Sequence, residues 1–142
     1  MTTIVADARA GVMVADSRCT IGGSWVPSTK VERFQAELIG CAGSEPDIQR
    51  WRKWYLAGKR GARPKCEDFN AIILRADGVY IAWDGGHEML IERGYHAIGS
   101  GSDAAQGALM AGADAKGAVE IACFIDAGSG GDIRVFNLKD AA

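Results

Sequence analysis

The chain has 142 residues, 48% of them hydrophobic and 24% charged, which is the balance of a folded globular protein and excludes a disordered segment or a collagen-like fibre. That length supplies one core of ordinary size and not two, so a single domain over residues 1–142 is expected. Sixteen Lys and Arg against eighteen Asp and Glu leave a net charge of −2, which argues against a nucleic-acid binder held by phosphate contacts.

Thr3–Val5 and Gly11–Ala15 read as two short strands around a turn at Asp7–Ala10. Arg18–Val26 is a further extended piece folded at Gly22-Gly23, and Lys30–Phe34 and Ala36–Ala42 add two strands. Ser44 followed by Pro46 is a helix start. Ile48, Trp51, Trp54 and Tyr55 then recur on one helical face up to Gly58. Lys59–Glu67 is a basic loop. The densest basic stretch, Arg50 to Lys65, reads as one solvated helix face and this loop. Phe69–Arg75 and Val79–Trp83 flank Ala76-Asp77-Gly78, a hairpin signal, and Glu88–Ile98 reads as one more strand. Asp103–Ala113 is Ala-rich and helical. Ala115–Asp126 is a second helix, with Val119, Cys123 and Phe124 expected inward, and Asp132–Leu138 closes as a strand. This order of elements predicts an α+β fold, with helices packed on sheet faces.

Glycine clusters at Gly22-Gly23, Gly85-Gly86, Gly99–Gly101 and Gly128–Gly131 mark tight turns. The four cysteines show no C-x-x-C spacing and neither histidine stands beside them, so no metal site is expected and the thiols read as reduced. No apolar run approaches the roughly 18–20 residues of a membrane span. The start Met1–Gly11 has no basic region leading into an apolar core, so a cytoplasmic protein without a membrane partner is expected.

The start also carries chemistry. Removal of Met1, favoured by the small side chain behind it, would leave Thr2 with a hydroxyl and a free α-amine on adjacent carbons. An α-amine with an ordinary pKa of about 8 can take the proton of its own hydroxyl near neutral pH. The segment TTIVADARAGVMVADSRCTIGGSWVPSTKVERF, then ELIGCAGSEPD, AIGSGSDAAQGAL and FIDAGSGGDIRVFNL, resembles proteasome β subunits and HslV in the same order over nearly the whole chain.

That resemblance implies a four-layer αββα sandwich of the N-terminal-nucleophile hydrolases. It implies a threonine-type endopeptidase without a cofactor, working inside a homo-oligomeric ring on peptides or unfolded proteins, with an ATP-dependent unfoldase as a partner class; Trp51 and Trp54 on the first helix are expected to add contact area between the subunits of that ring. By position, Thr2 matches the nucleophile, Lys30 the active-site lysine and Asp16 the aspartate that holds it. Gly43 matches the glycine whose N–H binds the oxyanion. Ser100, Asp126 and Ser129 match the polar network that orients the amine. Thr20 falls on the strand that pairs with substrate, and Cys19, Cys41 and Glu45 fall where the family lines the pocket for the side chain before the scissile bond. A glutamate there favours basic or small polar side chains. Taken singly, Asp16, Lys30, Gly43, Asp126 and Ser129 also read as turn, surface or capping residues. A second long helix of the family has its place taken by Lys59–Glu67, so a trimmed sandwich is expected. Two alternatives stay open: a ring component without turnover, and a small-molecule amidase.

Overall fold

The computed structural model describes residues 1–83 and 87–140, and the Gly85-Gly86 pair lies outside them. Strands β1 (Ile4–Asp7) and β2 (Val12–Ala15) are short, yet nearly every side chain on both faces is buried. A strand with two buried faces must lie between two layers. Alternation divides its side chains: Ile4, Ala6, Met13 and Ala15 enter one cluster, while Val5 and Val14 enter another.

The first cluster lies between two antiparallel sheets. One is four-stranded, with β1 and β2 at its centre, β10 (Tyr95–Ile98) on one edge and β11 (Arg134–Asn137) on the other. The second runs β5 (Val31–Phe34), β6 (Glu37–Gly43), β7 (Phe69–Arg75), β8 (Gly78–Trp83) and β9 (His87–Leu90) in sequence order. Ile4 and Ile98 meet Val31, Leu38, Ile72 and Leu74 across the gap. The hairpin β3 (Arg18–Ile21) and β4 (Ser24–Pro27) stands apart as a two-stranded ribbon.

Helices cover the outer faces. α2 (Ser102–Met110) and α3 (Ala115–Ile125) pack through Ala105, Leu109, Ala118, Val119 and Ala122 on Val5 and Val14. Their small side chains let the helix axes lie close to the sheet. α1 (Glu45–Leu56) covers the five-stranded sheet, with Trp51 stacked on Tyr55 at 4.5 Å between centroids and tilted on Phe69 at 5.1 Å. Ser44 caps α1 through the Asp47 N–H, with Pro46 in its first turn, as the sequence implied. The four layers are therefore αββα, with one helix on one side and two on the other. Where a second helix would lie beside α1, residues 59–67 return as an irregular segment. The Asp47 carboxylate pins it by accepting the N–H groups of Glu67 and Asp68 at 3.0 and 2.9 Å.

Three expectations are corrected. The segment Glu88–Ile98 is not one strand: β9 ends at Leu90 and β10 begins at Tyr95, in different sheets. A turn closed by the Gly94 N–H on the Ile91 carbonyl at 3.0 Å, with Gly94 at φ +80°, lets the chain cross between them. Phe124 does not face inward. The buried stripe of α3 is Ala115, Ala118, Val119 and Ala122, and Phe124, out of phase with it, is 92% exposed. Trp51, a candidate for intersubunit contact beside Trp54, is a core residue at 1% exposure.

Candidate active site

The site forms where the chain enters β1. Thr3 is buried, and its N–H donates to Asp16 Oδ1 at 3.0 Å. Asp16 follows β2 directly and is wholly buried. Its Oδ1 also accepts from Lys30 Nζ at 2.9 Å, and its Oδ2 accepts from the Gly130 N–H at 3.0 Å and the Arg18 N–H at 3.3 Å. Four donors on one carboxylate make the burial of this charge sustainable. Lys30 comes from the segment entering β5, its side chain is 8% exposed, and Nζ donates also to the Met1 carbonyl at 3.0 Å. The ammonium thus lies between Asp16 and the peptide group immediately before Thr2.

A second chain of hydrogen bonds approaches Thr2 from the other side. The Thr2 N–H donates to Ser100 Oγ at 3.1 Å. Ser100 and Ser129 both donate to Asp126 Oδ2 at 2.6 Å. With the Ser129 proton committed to Asp126, the Thr3 hydroxyl is the donor in its 2.7 Å contact with Ser129 Oγ. Burial pushes the Asp126 carboxyl upward, but the Ser100 and Ser129 hydroxyls, the Gly128 N–H and the N-terminal charge outweigh it and hold it below its ordinary value. The Thr2 carbonyl accepts the Gly101 N–H at 3.2 Å, and Gly99, at φ +98°, presses so close to that carbonyl that a Cβ would overlap it. These bonds fix the main chain on both sides of the Thr2 side chain.

Gly43 ends β6 with φ +125°, and a Cβ there would collide with the Asp68 carbonyl. It borders two cavities that meet at Met1, Thr2 and Gly43. The larger, about 550 Å³, is lined by Cys19 and Thr20 of the β3–β4 ribbon, Lys30, Cys41, and Glu45 and Ile48 of α1. The smaller, about 440 Å³, is lined by Asp68, Asn70, His96, Ser100, Ser102 and Gln106. Burial, followed by the nearby Glu32 charge, pushes the Cys41 thiol up to about 12, so it is a wall and not a nucleophile.

The structure brings Thr2, Asp16, Lys30, Gly43, Ser100, Asp126 and Ser129 to one place, and places Cys19, Thr20, Cys41 and Glu45 together along one cavity beside them. Sequence reasoning missed Thr3, Glu32 and Arg52. Arg52 Nε and Nη2 donate to both oxygens of Glu32, at 2.5 and 3.0 Å, and both residues line the larger cavity. Spacing carried the signal: Glu32 lies two residues beyond Lys30 along an extended segment, and Arg52 lies seven beyond Glu45 on one helix face. Among the described residues no cluster of three or more His, Cys, Asp or Glu side chains could hold a metal ion.

No family model matches the sequence, and no curated protein matches it. Solved structures do match its fold. The architecture defines a class of fold, a four-layer αββα sandwich shared with these structures. Within that class the chain is similar to HslV from Trypanosoma brucei, at 24% identity and TM-score 0.68, over 96% of this chain and 99% of that one. It is similar also to BPH from Thiobacillus denitrificans in complex with epoxomicin, at 17% identity and TM-score 0.71, over 98% of this chain and 100% of that one. A second structure of that BPH matches at 17% identity and TM-score 0.68, over 99% of each chain. The chain has the fold of HslV and the proteasome β subunits.

Proposed function

We propose that the chain is a threonine-type endopeptidase whose nucleophile is Thr2 after loss of Met1. The observation that carries this reading is the approach to Thr2 of two hydrogen-bond networks joined through Thr3: Asp16–Lys30, which holds the Met1 carbonyl and the Thr3 N–H, and Ser100–Asp126–Ser129, which holds the Thr2 N–H. A lysine ammonium held almost out of solvent against the residue before Thr2 supports turnover over a purely structural part.

With Met1 removed, the Thr2 nitrogen becomes an amine and accepts the hydroxyl proton, directly or through one water. The Lys30 ammonium lowers the cost of the alkoxide. Oγ attacks the substrate carbonyl carbon, and the oxyanion is received at the Gly43 N–H, where the absence of a side chain allows close approach. The amine returns its proton to the leaving nitrogen, the peptide bond breaks, and an ester to Thr2 remains. Water, deprotonated by the same amine, then attacks the ester and releases the acid. Ser100, bonded to both the Thr2 nitrogen and Asp126, orients the amine.

In this reading the substrate chain lies across the Thr2–Gly43 ridge, beside Thr20 as an added strand. The side chain before the scissile bond enters the cavity floored by Cys41 and rimmed by Cys19 and Glu45. The active form is a homo-oligomeric ring that takes in peptides or unfolded chains, delivered by an ATP-dependent unfoldase where one is present. Exposed Met110, Ile121, Phe124 and Ile125 on α2 and α3 supply apolar contact area for assembly. Among the described residues no helix is long and apolar enough to cross a membrane.

The test is intact mass with and without a peptide epoxyketone, a reagent whose two electrophilic carbons suit a hydroxyl and an amine on neighbouring carbons. Loss of one methionine, together with addition of one reagent mass that a Thr2→Ala protein processed in the same way does not take up, supports the reading. Peptide cleavage by a Thr2→Ala protein at the rate of the unaltered chain refutes it.

A further inference from the structure

The charged groups in the larger cavity are not randomly mixed. Lys30 is tied to Asp16 at 2.9 Å. Arg18 faces the ribbon, stacked over Trp25 at 5.2 Å with its Nη1 on the Ala127 carbonyl at 3.4 Å. Around the Cys41 floor the groups are Glu32, Arg52 and Glu45. Arg52 is committed through two donors to Glu32. Glu45 makes no direct ion pair among the described residues: its Oε1 accepts from the neutral Gln49 amide at 2.7 Å, and the Arg52 guanidinium, bonded to Glu32, acts on it only through space. Near Cys41 the cavity therefore carries two carboxylates, Glu32 and the exposed Glu45 at its rim, against one guanidinium, and its apolar lining comes from Val31, Ile39 and Ile48.

We infer that this cavity selects a lysine or arginine side chain before the scissile bond, with Glu45 as its counter-charge and Glu32 as a second acceptor held ready by Arg52. The methylene stem of such a side chain matches the apolar walls, and its cationic end reaches the carboxylates. An acidic side chain meets Glu45 and Glu32 instead and finds the Arg52 fork already occupied. Thr20 and the Cys19 wall leave room for length but offer no second cation at the floor. This inference rests on the peptidase reading of the same site.

The experiment compares the processed full-length chain on a panel of fluorogenic peptide amides differing only in the residue before the cleaved bond: Lys, Arg, Leu, Phe and Glu. Lys and Arg should lead in kcat/KM by about tenfold or more, the scale of one added ion pair in a partly screened pocket. Glu45→Lys should lose that lead and bring the Glu substrate forward, and Glu45→Gln should lower Lys and Arg without raising Glu. Glu32→Gln should release Arg52 and shift the order toward Glu. Where a variant folds poorly, the unaltered chain is still ranked by competing lysine and leucine epoxyketones for Thr2, and lysine should label faster. A Thr2 adduct together with fastest cleavage after Leu, Phe or Glu overturns the inference alone, as does an unchanged order in well-folded Glu45→Lys. No cleavage of any member and no adduct overturns the peptidase reading, and the inference falls with it.

Discussion

Replacing Asp16 by Asn tests the centre of the site through stability instead of rate. The change conserves volume but leaves one acceptor oxygen where two now receive four donors. If the amide oxygen stays toward Thr3 and Lys30, its NH2 group meets the buried Gly130 N–H, and that donor loses its partner at a cost of about 1–3 kcal/mol. Lys30, 8% exposed, loses its counter-charge, and breaking a buried pair from one side costs about 3–5 kcal/mol. The two costs overlap, because one small rotation relieves both, so a total of about 3–5 kcal/mol is expected. For a chain of this size that lowers Tm by roughly 10–20 °C. Lys30→Met should cost less, about 1–3 kcal/mol, because the three backbone N–H donors still hold the carboxylate, yet it should abolish peptide cleavage. Urea unfolding at one fixed protein concentration, for both single variants and the double variant, gives the coupling between them. An Asp16→Asn protein within about 1 kcal/mol of the unaltered chain would refute the role assigned to this carboxylate.

Thr2→Ala should remove cleavage without changing thermal stability, while Thr2→Ser, which keeps hydroxyl and amine, should retain a measurable fraction; a fluorogenic peptide assay reads both. Gly43→Ala should cost about 2–4 kcal/mol in urea unfolding, because its φ of +125° and the Asp68 carbonyl both oppose a side chain. His96 is held below its ordinary 6.5 by burial and then by the Arg93 charge, so the unfolded chain binds the proton more readily. Its contribution to stability is therefore complete above pH 6.5 and lost as pH falls through the folded value, and His96→Gln should flatten stability against pH in that window. Phe124→Asp should leave helix content and Tm of the isolated chain unchanged and shift the assembled species to lower mass by light scattering, since the ring is 92% exposed in a single copy.

Much of this fold is written locally. Gly22-Gly23 turns one hairpin, and Ala76-Asp77, followed by Gly78 as the first paired residue of β8, turns another. Ser44, Pro46 and the Trp51–Tyr55 spacing define α1 before any partner is known. The break at Gly94 was not legible, because apolar residues stand on both sides of it. What separates β9 from β10 is pairing with distant strands, Met89 with Ile81 in one sheet and Ile98 with Ile4 in the other. Phe124 was misplaced because its apolarity was weighed without helical phase; the alanines at 115, 118 and 122 bury more of the interface by being small. The site divides the same way. Its principal residues come from separated segments, so they were legible only as an ordered set that matched a known pattern. Arg52 became visible once α1 was seen to lie over the cavity.

Met1 bears on how the site becomes active. While it is attached, the Thr2 nitrogen is an amide and cannot serve as a base, whatever surrounds it. The networks around it do not depend on that amide bond. Asp16 is satisfied by Thr3, Gly130, Arg18 and Lys30, and Asp126 by Ser100, Ser129 and Gly128. Lost with Met1 are the 3.0 Å bond from Lys30 to its carbonyl, the packing of its largely exposed side chain on Gly128, and its terminal charge, which helps hold the Asp126 carboxyl low and passes to the Thr2 amine. Lys30 keeps Asp16 and gains a vacated donor direction toward Thr2, and Ser100 keeps its partner as the amide N–H becomes an amine. On the proposed reading, removal of Met1 therefore requires no refolding of the site, and the same scaffold that holds the inactive chain is already arranged for the reaction.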